Sequence, residues 1–177
     1  MRKKTVGMIN FTPYDLRVNN LSGKVWLGTT QPNLSWKMRH RSGTMQKAYR
    51  IQAASSSAAL NKPDLWDSGW IESEQSISIP WGGPQLSSRQ RIFWLVTLQD
   101  QSGKVSRPSE PAEFEIALIH NTDWKAHWIH YDGNNPSCPS PCPYFRREFS
   151  VGKPVKRAVL YVTARGLFEV IQLNYLK

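Results

Sequence analysis

The sequence predicts an all-β chain, one complete sandwich followed by the opening strands of another, and three observations carry that expectation. Apolar and polar residues alternate with a period of two in run after run between Leu34 and Ile116. Clusters of turn-forming residues separate the runs at short intervals, as they do in sandwiches. Helical periodicity is almost absent: Ser55–Leu60, the one helix-like stretch, is too short and serine-rich to be more than a turn.

Taken in order, Leu34, Trp36 and Met38 alternate with Asn33, Ser35 and Lys37, which gives a strand with one buried and one wet face. Tyr49, Ile51 and Ala53 do the same against Arg50 and Gln52. Ile92–Leu98 is apolar on both sides, with Ile92, Trp94, Val96 and Leu98 on one and Phe93 and Leu95 on the other. Such a strand lies at the centre of a sheet and needs something packed on its second face. Ala112, Phe114 and Ile116 alternate with Glu113 and Glu115, and we read the two acids as the solvated face of an edge-like strand. Turns are expected at Arg41–Gly43, Asn61–Asp64, Gly82–Pro84 and Asp100–Gly103. A boundary falls near Leu118–Asp123, and a Pro-rich loop occupies Asn134–Pro143. After that loop, Tyr144–Val151 and Arg157–Ala164 read as two further strands. Too few strands fit there to close a second sandwich.

Composition limits the alternatives. With 40% hydrophobic residues and 8 Trp, 6 Tyr and 6 Phe, there is enough apolar material for a core, against a wholly disordered chain. The net charge of +10 is spread along the sequence without a long basic stripe, so no nucleic-acid partner is expected. Arg2–Lys4 opens like an export signal, but Val6–Phe11 is short and runs into Thr12 and Pro13, so neither a signal peptide nor a membrane span is recognised and the compartment stays open. Cys138 and Cys142 flank Pro-Ser-Pro; two thiols fall short of the four ligands of zinc, and His127 and His130 lack finger spacing. We expect no metal and no cofactor, and either a local disulfide or two free thiols.

The strings PNLSW (Pro32–Trp36), QKAYRIQAASS (Gln46–Ser56), DLWDSGWIES (Asp64–Ser73), FWLVTLQDQSG (Phe93–Gly103) and PAEFEIAL (Pro111–Leu118) occur in the order found in bacterial α-L-rhamnosidases of glycoside hydrolase family 78. DWKAHWI (Asp123–Ile129), PYFRREF (Pro143–Phe149) and VKRAVLYVTARGLFEV (Val155–Val170) continue the likeness, so the chain resembles the N-terminal region of those enzymes. The resemblance implies a fibronectin type III-like sandwich over residues 13–119, after an N-terminal tail of residues 1–12. It implies that residues 120–177 are the opening strands of the rhamnosidase N-terminal β-sandwich domain, incomplete as it stands. It also implies a parent enzyme that hydrolyses terminal L-rhamnose from glycans or glycosides through an (α/α)₆ barrel missing here, so no catalytic residue carries over and the chain alone is expected to be inactive.

Inverting glycoside hydrolysis needs two carboxyls facing each other across a sugar. Asp64 with Asp67, Glu72 with Glu74, and Glu113 with Glu115 read as turn and strand-face residues rather than such a pair. The carbohydrate-contact candidates are Trp66, Trp70 and Trp81, which lie among turns and short strands where an indole could face water and stack on a pyranose. Core packing is the competing reading for each. Two other functions stay in play: a free-standing carbohydrate-binding sandwich, and a basic sandwich that binds an anionic partner.

Overall fold

The computed structural model describes residues 11–39, 43–131 and 142–171. Arg41 and Ser42 of the first expected turn, most of the Pro-rich loop with Cys138, the tail up to Asn10 and the end from Gln172 lie outside the described residues. The chain divides into two compact units, 1–125 and 126–177.

The first unit is a two-sheet sandwich. Strands β1 (Thr12–Val18), β3 (Asn33–Arg39) and β7 (Ile79–Pro80) form one antiparallel sheet in the order β1-β3-β7. The other runs β2-β9-β8-β4-β5, from β2 (Val25–Leu27), β9 (Ala112–Ile116), β8 (Arg91–Asp100), β4 (Gln46–Ala54) and β5 (Trp66–Asp67), with β6 (Ile71–Glu72) also on β4. Ile92, Trp94, Val96 and Leu98 are fully buried between the sheets against Leu34, Trp36, Ile51 and Phe114. The second face of β8 is covered as its composition requires: Leu60, from a short 3₁₀ turn at Ser57–Asn61, packs with Ala54, Phe93 and Leu95.

Polar groups tie the sheets together. Buried Gln46 accepts from the Trp36 indole at 3.1 Å and donates to the carbonyls of Ser73 and Gln75, each at 2.9 Å. One side chain thus joins both sheets to the crossing between β6 and β7. At the Asp100–Gly103 turn the Asp100 carboxylate accepts from the amides of Ser102 and Lys104, and Gly103 takes a φ of +84° that a side chain would oppose. The Ser102 hydroxyl also donates to this carboxylate, and it is the first cause, with the two amides, that holds the Asp100 carboxyl below the usual carboxylate range.

One expectation is corrected. β9 is not an edge strand, because β2 adds in parallel to its free side, pairing Trp26 with Glu115. Glu115 is therefore buried, and Glu113 sits between Arg91 and Lys24 instead of facing water.

In the second unit, the described residues form neither helix nor strand. The alternation in Tyr144–Val151 and Arg157–Ala164 therefore predicts ladders that the structure does not contain. The physical reason is that period-two patterning only prepares a segment for pairing, and a strand exists once a neighbour satisfies its backbone. Tyr144, Phe149 and Leu160 remain exposed.

Candidate functional site

β5 and β6 are one strand interrupted by a bulge. Trp66 and Asp67 pair with Ala53 and Gln52, but Ile71 and Glu72 pair with Tyr49 and Ala48, so the register slips by one residue. Gly69, at a φ of +61°, takes up the extra residue, and Ser68 both donates its amide to the Ile51 carbonyl and accepts from the Ile51 amide. Trp70 follows directly and stands 44% exposed at the sheet margin. A bulge re-aims the side chains around it, and here the result is an indole on the surface.

Trp66 and Trp81 meet in a different place. Their rings cross edge-on at 4.9 Å, and Trp81 stacks in the same manner on Phe114 at 6.0 Å. Trp81 is buried, with its indole N–H donating to the Pro84 carbonyl at 2.8 Å. Gly82 and Gly83 make room: a Cβ at Gly83 would lie 2.6 Å from Trp81 and 2.9 Å from Trp66. The structure brings Trp66, half-buried, and Trp81 together as a plug of the core, and no ring contact joins Trp70 to either among the described residues.

Asp64, Asp67, Glu72 and Glu113 are engaged in structure. Asp67 forms a two-pronged pair with Arg50, whose hydrogen bonds hold it below the ordinary carboxylate range. Asp64 accepts from the amide and hydroxyl of Ser55 and is lowered by those bonds, and Glu72 pairs with Lys47. At Glu113, burial raises the carboxyl, but hydrogen bonds from Arg91 and Lys24 outweigh it and the net direction is down. Among the described residues no cluster of ligating side chains could hold a metal ion, no helix is long and apolar enough to cross a membrane, and Cys142 is an exposed free thiol.

Sequence reasoning did not single out Trp26, which is 53% exposed on β2 between buried Val25 and Leu27. The signal was present in Lys24–Leu27, whose alternation sets the indole apart from its apolar neighbours, but three residues are too few to read as a strand alone.

Two packed sheets, antiparallel β1-β3-β7 against mixed β2-β9-β8-β4-β5, with aromatic residues opposed across the core, define an immunoglobulin-like β-sandwich. Residues 13–120 match the family model described as Rha78A-like, N-terminal immunoglobulin domain, and the chain belongs to that family. Its relatives include an α-L-rhamnosidase of Formosa agariphila, 39% identical over 79% of this chain, and one of an Alteromonas species, 38% identical over 78%. The chain spans 16% of the length of each. The crystal structure of the Streptomyces avermitilis α-L-rhamnosidase complexed with L-rhamnose superposes with a TM-score of 0.66 and 36% identity, covering 68% of this chain and 12% of that one.

Proposed function

We propose that this chain is a non-catalytic accessory and substrate-recognition region of an α-L-rhamnosidase, one that supports or positions a catalytic domain releasing terminal L-rhamnose from glycans or glycosides. The observation that carries this reading is the family match across residues 13–120, which takes in the whole sandwich. In this reading the partners are a rhamnose-containing glycan, met through the parent enzyme, and the catalytic domain itself. Residues 13–119 act as the fibronectin type III-like module. Residues 120–177 belong to the second β-sandwich and acquire their ladders when further strands pair with them. Of the indoles singled out for sugar contact, Trp70 is the one whose exposure suits stacking, while Trp66 and Trp81 support the module from inside. The test is turnover of an aryl α-L-rhamnoside by the pure chain. None is expected; turnover abolished by changing one of the chain's own Asp or Glu residues would overturn the accessory reading.

A further inference from the structure

A cleft of about 520 Å³ opens on the side of the sandwich where β1 of one sheet faces the approaches to β2 and β9 of the other. Tyr14, Asp15, Lys24, Glu110 and Glu113 contribute its polar lining. Its size falls within the range of small-molecule sites, about 300–1,000 Å³. β1 reaches it through a one-residue bulge between Tyr14 and Arg17, with Asp15 at a φ of +50°. Arg17 and Lys37 both donate to Oδ2 of Asp15, and no described residue donates to Oδ1. On the opposite wall, Lys24 donates to Oε1 of Glu113 at 3.1 Å and Arg91 donates to Oε2. Two of the three acids are thus neutralised by neighbouring cations, so the cleft offers hydrogen-bonding groups without the strong field that draws an ion.

The exposed indole of Trp26 lies outside this lining, two residues along the chain from Lys24 at the start of β2. Glu113 and Glu115 stand beside them on the same face of β9. The two rows are about 7 Å apart along the strands, a span that one or two sugar rings bridge. The apolar face of a pyranose can lie on an indole, while vicinal hydroxyls donate to a carboxylate and accept from an ammonium in charge-assisted bonds.

We propose that Trp26, with Asp15, Lys24 and Glu113, forms a carbohydrate contact separate from Trp70, taking a neutral glycoside with vicinal hydroxyls. The proposal rests on the reading of this chain as glycan-recognising. The ring stacks on Trp26, and its hydroxyls meet the open oxygen of Asp15 and the Lys24–Glu113 pair.

The experiment follows the tryptophan indole N–H signals of the full chain by NMR during titration with L-rhamnose and methyl α-L-rhamnoside. The Trp26 signal should shift saturably, with a Kd on the order of 1 mM. Lys24→Met should weaken binding about tenfold; Trp26→Ala should abolish it with the melting temperature unchanged, because the indole is exposed; Trp70→Ala should leave the Trp26 response intact. A saturable shift that persists in Trp26→Ala overturns the proposal. Shifts at Trp70 alone overturn it and leave the glycan-recognition reading standing, whereas silence at every indole removes both.

Discussion

The sandwich and the segment from Tyr144 to Val170 are written in the same alphabet and reach opposite ends. In β8 the alternation places Ile92, Trp94, Val96 and Leu98 at 0% exposure, whereas Tyr144 stands at 95%, Phe149 at 81% and Leu167 at 105%. Both stretches set apolar residues two apart along the chain, and both are rich in β-branched and aromatic residues. What separates them is company: β8 has β4 on one side, β9 on the other, a facing sheet on its inner surface and Leu60 on its outer. Period-two patterning states which face a strand would bury, and burial itself requires a second surface.

The largest effect that can break this comparison comes from matched truncations. Trp94→Ala should cost about 3–5 kcal/mol, since the indole is fully enclosed and its removal leaves a cavity. Phe149→Ala, of similar chemistry, should change stability by less than about 0.5 kcal/mol. Urea unfolding of the two variants followed by tryptophan fluorescence checks the pair. Equal losses would mean that the exposed segment is part of the cooperative core.

A smaller effect tests the polar lock of the sandwich. Gln46→Leu keeps the volume but leaves the Trp36 indole and the carbonyls of Ser73 and Gln75 without their partner. A loss of about 1–3 kcal/mol is expected, with early hydrogen exchange at residues 73–78. A neutral result would show that water replaces the amide there.

The smallest effect is that of acid. Among the described residues the carboxyls held low, including Asp67 through Arg50 and Asp100 through Ser102, all belong to the sandwich. Their folded values lie below the unfolded ones, about 3.9 for Asp and about 4.3 for Glu. Their contribution is therefore complete above those unfolded values and is lost as pH falls through the folded values. The melting temperature should stay flat down to about pH 5 and fall below about pH 4. Asp67→Asn should flatten that fall, and circular dichroism melts at stepped pH would register it.

Much of the sandwich was legible because its longer strands are regular. Asn33–Arg39, Gln46–Ala54, Arg91–Asp100 and Ala112–Ile116 each keep the pattern, and the two-sided apolar run of β8 announced the cover that Leu60 supplies. The bulged strands were harder to read. β1 carries an extra residue at Asp15–Leu16, and β5 and β6 are split by Ser68–Trp70, so alternation loses phase in both. The candidate indoles show the same limit. Trp66, Trp70 and Trp81 share a local setting of turns, and only distant partners such as Phe114 draw two of them inward. Nothing beside Glu113 and Glu115 in sequence reveals that the three residues of β2 shield them.

The central claim is that shared patterning yields a closed sandwich in one region and an unpaired segment in the other. Native-state hydrogen exchange, read by mass spectrometry on the monomeric chain, tests it residue by residue. Amides of Ile92–Leu98 should exchange only through global unfolding, while those of Phe145–Val170 should exchange far faster, near the rate of an open chain. Equal protection of the two stretches in a monomer would contradict the account, because it would mean that the segment has found a closed fold of its own.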